Sequence, residues 1–418
     1  MKTAATTWIA IALVAGLAAA QTHPNGYAGM TSYATLVYFL KGNTLTSVWI
    51  GGGTNYGAVM DPLNTLLLVV NSSGDVIRVD PRSEAVVGTL ATGLSNPRDI
   101  DVDHNGDHFV TSATTLWKID ALGAVTTVRT GLTGTDGGAA IDIDTGELLV
   151  QSSTGANVDP TLLVARDGSA LTTLGTGADA RYGIAQHIPT GDIYIGSCCG
   201  DFSPSDNIYR LPRGSGVASV WLASAQPPVG VYSLKADRSS AAVQQLVLGG
   251  FGAGTARGDG GFFLVDIVTK SVTRLNTMTL SHYETEILYR RNVGAVSTGK
   301  GQWAVSIGIP EDAGRGYVLG VSASGVRPSI GFPDGRRVNL AIDSLTVVGL
   351  TSGLGPFLTG TTGTLTRSGT AVAQLDLSRL GPAINGLLLH FLAVTLDGSA
   401  PLGIKTITDP FVLKVEGL

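Results

Sequence analysis

The chain is poor in sulfur, charge and aromatic rings. Only 2 of its 418 residues are Cys and 4 are Met, and charged residues make up 14%. Two cysteines allow at most one intramolecular disulfide, so no disulfide framework holds this fold. No cluster of Lys or Arg occurs and the formal net charge is only −5. Nucleic acid and anionic membrane surfaces are therefore excluded as electrostatic partners. Past the N-terminus no apolar run is long enough to span a bilayer as a helix. Gly-x-Ser-x-Gly and His-Glu-x-x-His are both absent, which removes two hydrolase signatures.

What is present points to a large β-rich body. Apolar residues reach 44% and Gly numbers 57, which excludes a disordered chain. Gly supplies turns, and the abundant Val and Thr favour pleated sheet. The opening "MKTAATTWIAIALVAGLAAAQ" has a basic Lys2, an apolar run from Trp8 to Leu17 and the small residues Ala18 to Ala20. This is the pattern of a secretory signal peptide over residues 1–20 with cleavage after Ala20. The expected location is secreted, or periplasmic and cell-envelope, where disulfides are permitted.

The rest of the chain repeats. Strand–turn–strand pieces begin at Leu36, Val76, Leu116, Leu162, Ile208 and Phe262, spaced by 40, 40, 46, 46 and 54 residues. Between them recur second pairs such as "RDIDVDHNGDHFVTS" from Arg98 and "AAIDIDTGELLVQSS" from Ala139. Four strands per 40–50 residues is the period of a β-propeller blade. One four-stranded sheet cannot bury both faces alone, so blades pack around an axis. Five blades are complete between Tyr56 and Leu280. The hairpin at 36–50 and "HYETEILYRRNVGAV" from His282 are expected to complete a sixth, closing the ring from both ends. The expected architecture is all-β: a six-bladed β-propeller over residues 21–291, then a small C-terminal β-sandwich domain over 292–418. In the second part only "LSRLGPAINGLLL" reads as a short helix, broken at Gly381-Pro382.

The stretch "TGLSNPRDIDVDHNGDHFVTSATTLWKIDALGAVTTV" resembles one repeat of the NHL and SMP-30/gluconolactonase-like six-bladed propellers. Those repeats read Gly-Leu, two residues, Pro, an Ile/Val-Asp strand, then Asn-Gly. The resemblance covers residues 36 to about 290 and implies a fold, not an activity. Enzymes of that group hold a divalent metal with a Glu and several Asn/Asp around the channel mouth. The tail resembles β-sandwich tails on exported, uncharacterised bacterial proteins.

Three places carry candidate chemistry. The first is the channel mouth, lined by the residues that lead into each innermost strand. These are Asn55, Tyr56, Arg98, Asp99, Asp136, Arg181, Tyr182, Tyr232, His282, Tyr283 and Glu284, a polar and aromatic ring suited to a small molecule. Among them Glu284 is the one Glu, with Asp99 and Asn55 the other good oxygen donors; His187 is placed deeper. The second is "DVDHNGDHF", where Asp101, Asp103 and Asn105 follow the opening of a calcium loop. Its twelfth position is Ser112 rather than Glu, and a plain hairpin turn at Asn105-Gly106 is the competing reading. Ca²⁺ or another divalent metal is the one cofactor left open. The third is Cys198-Cys199. Adjacent Cα atoms lie about 3.8 Å apart, short of the usual disulfide range, so a vicinal bond is strained. It is nonetheless the one intramolecular disulfide available, on a loop expected to face the mouth. A clipped turn without function is the plainer reading.

No complete catalytic constellation emerges. The sequence favours a monomeric, exported binding protein that takes a small molecule, saccharide or protein at the channel mouth. The alternative is a metal-dependent hydrolase or lyase of the lactonase-like propeller type.

Overall fold

The computed structural model describes residues 27–418, apart from 32–34, 42–43, 62–65, 104–105, 135–137, 143, 153–158, 179–181, 188–189, 198–206, 224–228, 237–244, 253–260, 276–281, 289–291, 334–335, 352–353, 409 and 417. At 27–31, 229–230, 232, 250–252, 282–285 and 287 it describes the backbone alone.

Among the described residues six four-stranded antiparallel sheets, here called blades 1 to 6, follow one another in a ring. Their innermost strands are Asn55–Met60, Pro97–Val102, Ala139–Ile141, Ile184–Gln186, Val229–Ala236 and His282–Ile287. Each of these strands touches the innermost strand of the next blade, and blade 6 touches blade 1. The physical proof of closure is the core. A separate hydrophobic cluster fills every one of the six blade interfaces. Val70 and Leu68 of blade 1 meet Ile100 and Val110 of blade 2; Phe109 of blade 2 meets Leu148 and Val150 of blade 3. The series ends with Phe262 of blade 5 against Leu40 of blade 6, and Phe39 of blade 6 against Leu67 of blade 1. Full burial of each such side chain contributes about 1.5–3 kcal/mol.

Blade 6 is assembled from both ends of the ring. Its order is His282–Ile287, Tyr27–Thr31, Leu36–Lys41, Thr44–Trp49. The expected closing blade is corrected in one respect: three strands, not two, come from the N-terminal side. Tyr27–Thr31 was missed because "YAGMT" is short, holds Gly29 and lacks apolar alternation. The tail of "HYETEILYRRNVGAV" does not join this blade, since Val293–Gly299 pairs with Gln302–Gly308 instead.

Near the axis the strands crowd. A Cβ on Gly57 would lie 2.6 Å from the Asp99 Cα, so blades 1 and 2 reach this spacing only with Gly there. At the opposite ends of the inner strands sit tight turns in which Gly106, Gly146 and Gly191 donate N–H bonds of 2.8 Å to the carbonyls of Asp103, Asp142 and His187. All three glycines have positive φ.

The described part of residues 292–418 forms a two-stranded sheet, Ile330–Gly331 with Arg337–Val338, and two larger antiparallel sheets. One holds Val293–Gly299, Gln302–Gly308, Thr370–Asp376 and Leu358–Thr359. The other holds Thr362–Thr364, Gly316–Ser322, Leu388–Leu396 and Ile404–Ile407, with Phe411–Lys414 on Leu388–Leu396. They close over one core in which Trp303, Val305 and Leu375 face Leu319, Phe391 and Phe411. Among the described residues the α-helix is Ser344–Thr351, not the expected "LSRLGPAINGLLL", which yields a single 3₁₀ turn at Pro382–Ile384. Asp343 caps the helix by accepting the Thr346 N–H at 2.8 Å. The β-branched "SLTVVGLT" argues against helix by propensity, and cap and packing override it.

Candidate site at the channel mouth

The face carrying the connections from one blade to the next inner strand is the mouth face. There Arg98 and Tyr56 occupy the second positions of neighbouring inner strands. The Arg98 guanidinium lies over the Tyr56 ring, 4.4 Å from its centre, and both side chains are half-buried. Tyr182 is likewise half-buried, just before the inner strand of blade 4. The Arg98–Tyr56 stack is the described part of the rim.

Below the rim the channel is buried and polar. Asn55 is fully buried, and its residue pairs with Asn71 in the strand register. Asp99 is buried and accepts the backbone N–H groups of Ile100 (2.7 Å) and Ala139 (2.8 Å). The oxygen that accepts the Ile100 N–H also lies 3.5 Å from the Lys235 ammonium. Asp99 belongs to blade 2 and Lys235 to blade 5, which stand on opposite sides of the ring. The ion pair therefore spans the axis. Burial pushes the Asp99 carboxyl up, against the opposing pull of Lys235 and the two N–H groups. Ser233 and Glu286, also buried, sit on the inner strands of blades 5 and 6. Lys235 was not foreseen. Its signal was a single charge in "VGVYSLKA", two residues beyond Ser233 on the same face of the strand.

The calcium-loop carboxylates are engaged elsewhere. Asp101 accepts the Ile141 N–H of blade 3 at 2.7 Å, repeating the Asp99–Ala139 contact two residues on. Asp103 pairs with Arg166 and, at 3.4 Å, with Arg327. Asp107 pairs with Arg166 at 3.1 Å and Lys118 at 2.7 Å. Among the described residues no group of three His, Cys, Asp or Glu side chains is placed to hold a metal. Asn105, Asp136, Arg181, Cys198 and Cys199 lie outside the described residues, as do the side chains of Tyr232, His282, Tyr283 and Glu284.

The opposite, turn face holds a belt of alternating charge. Arg213 reaches Asp142 at 2.8 Å and Asp144 at 3.1 Å. Burial would raise the Asp142 carboxyl, but the Arg213 guanidinium and the Thr145 N–H hold it below the usual range. Two arginines from beyond residue 292 complete the belt: Arg327 bonds Asp103 and the Asp142 carbonyl, and Arg337 pairs with Asp144. His187 sits on this face too. It is buried, its Nδ1 2.9 Å from the Thr190 hydroxyl and its ring edge-on to Tyr194. Burial pulls its pKa down to about 4, against the attraction of Asp192.

The fold class is settled by these contacts. The chain is an all-β propeller protein. No protein-family model matches it, and no curated protein does. Among solved structures it is similar to a streptogramin B lyase, with 14% identity and a TM-score of 0.43 over 64% of this chain and 89% of that one. It is similar to a gluconolactonase from Xanthomonas campestris, with 10% identity and a TM-score of 0.45 over 67% of this chain and 85% of that one. A calcium-binding regucalcin from Agrobacterium tumefaciens shares 14% identity and a TM-score of 0.38 over 60% of this chain and 81% of that one. At such identities and scores these likenesses assign no activity to this chain.

Proposed function

We propose that this protein binds a small polar molecule bearing an acidic group at the channel mouth, without transforming it. The observation that carries the reading is the Arg98 guanidinium stacked on Tyr56 at the rim. Stacking holds the guanidinium plane in place at the rim, where its fixed positive charge attracts a carboxylate. The Asp99–Lys235 pair gives the channel a rigid floor beneath it. Tyr182 adds an aromatic wall with a polar tip.

The rival is a metal-dependent hydrolase or lyase, which the names of the gluconolactonase and the lyase suggest. The described residues do not fit a divalent cation on the axis, because Asp99 faces an ammonium group rather than a vacant ligand position. Calorimetric titration with a panel of small organic acids separates the two. Expected is binding that weakens at least tenfold in Arg98→Ala and is unmoved by chelator. Chelator-sensitive turnover of a lactone would overturn the reading, as would acid binding that ignores Arg98.

A further inference from the structure

A second feature of the mouth face lies away from the channel. Trp49 ends the outermost strand of blade 6 and is 69% exposed, whereas Trp117, Trp221 and Trp303 are 8%, 9% and 6% exposed. An indole left this bare on a folded surface forgoes most of its burial energy, so its position asks for a reason. From Trp49 the chain crosses inward over the mouth face through Gly51, Gly52 and Gly53, all at positive φ, to Asn55.

The three glycines report what lies beside the crossing. A Cβ on Gly51 would stand 3.6 Å from the indole. One on Gly52 would meet the Asn71 amide and, at 3.8 Å, the Asp75 carboxylate; one on Gly53 would meet the Ser72 and Ser73 hydroxyls. The strip thus runs from a bare aromatic face, over the buried Asn71 amide, to a half-buried carboxylate and two exposed hydroxyls, and the connector between them carries no side chain at Gly51, Gly52 or Gly53. It is also fastened. Ser73 Oγ donates to the Gly52 carbonyl at 2.5 Å, Thr54 N–H to Ser72 Oγ at 3.0 Å, and Ser72 N–H to the Thr54 carbonyl at 2.8 Å. Asn71 Oδ1 accepts the N–H groups of Ser73 and Asp75, fixing the turn beneath.

We infer that Trp49 and the adjoining strip of Ser72, Ser73 and Asp75 form a saccharide-binding platform, distinct from the channel mouth. A flat ring gives the C–H face of a pyranose an apolar surface, and the hydroxyl and carboxylate groups along the strip match the sugar's hydroxyls. A protein-binding hot spot is instead set in a well-packed pocket whose surrounding contacts exclude water; here the indole stands beside an open connector of Gly and Thr flanked by Ser72 and Ser73. The fastened connector means that little ordering is needed on binding. Three strand spacings, about 14 Å, separate the outermost strand from the innermost, so the platform does not rest on the channel reading.

Affinity electrophoresis of the mature protein through gels containing a glucan, a mannan, a xylan or soluble chitin tests this, with titration of the matching oligosaccharides followed by Trp fluorescence. Expected is retardation by at least one glycan, weakened tenfold or more in Trp49→Ala, partly kept in Trp49→Tyr and unchanged in Arg98→Ala. Because Trp49 is exposed, the Ala variant keeps its far-UV circular dichroism and thermal midpoint. No retardation by any glycan overturns the inference. So does retardation that survives Trp49→Ala, or a self-association in sedimentation that Trp49→Ala abolishes. Loss of organic-acid binding in Arg98→Ala with glycan retardation intact separates the two sites.

Discussion

Carboxylates near the axis do three different jobs within five residues. Asp99 meets an ammonium, Asp101 a backbone N–H and Asp103 two guanidinium groups. The alternation that suggested calcium ligands in the sequence is also the alternation of a strand, which puts Asp99 and Asp101 on one face. Spacing alone could not separate them; the partners come from blades 3 and 5 and from beyond the ring. Two predictions follow at this scale. Lys235→Met strands the Asp99 carboxylate in a buried site and should lower stability in urea unfolding by about 3 kcal/mol. Adding Asp99→Asn should return most of that loss; an unrecovered double variant would mean that the pair is not what holds the floor. His187 gives the second. Its folded pKa, about 4, lies below the unfolded value of 6.5, so the unfolded chain binds the proton more readily. Its contribution is complete above pH 6.5 and is lost as pH falls toward 4, by up to about 3 kcal/mol. Thermal midpoints in that window should flatten in His187→Gln relative to the parent.

Strand pairs with regular spacing were legible because apolar alternation and Gly turns recur every blade, as in "AAIDIDTGELLVQSS". What escaped reading had no local signal of its own. Tyr27–Thr31 becomes a strand because two others, His282–Ile287 and Leu36–Lys41, offer it edges on both sides. Ser344–Thr351 is helical because Asp343 caps it, against its β-branched composition. The polar rim was legible in part: Tyr56 and Arg98 do meet, while the lone Lys235 carried no local signal of a partner across the ring. Deleting residues 27–50 removes three strands of blade 6 and uncovers Phe262, Leu264, Leu67 and Val69 on its two neighbours. The expected result is loss of soluble monomer in size-exclusion chromatography, since bare edges and apolar faces promote association. A monomeric, cooperatively unfolding deletion product would contradict the closure.

Residues 292–418 and the ring meet through charge. Arg327 and Arg337 enter a belt already holding Arg166 and Arg213 against Asp103, Asp107, Asp142 and Asp144. Gly146 packs directly under Arg327, where a Cβ would lie 2.7 Å from its Nη1. Partly exposed pairs of this kind contribute about 1 kcal/mol each and are screened by salt. Arg327→Ala with Arg337→Ala should therefore uncouple the two parts, splitting a single calorimetric transition into two. A transition that stays single and unshifted would show that other contacts hold them.

The order of blade 6 also has a consequence in time. Tyr27 pairs with Ile287 as well as with Leu40, so the first described strand of the ring waits for the last. A chain emerging N-terminus first holds Tyr27–Thr31 with an empty edge through the appearance of five blades. Its ring becomes whole only when His282–Ile287 arrives, and contacts of such sequence separation form slowly. Until then the sheet is open on the side where another copy's strand could enter. The speed with which residues 282–287 follow blade 5 decides how long that window lasts.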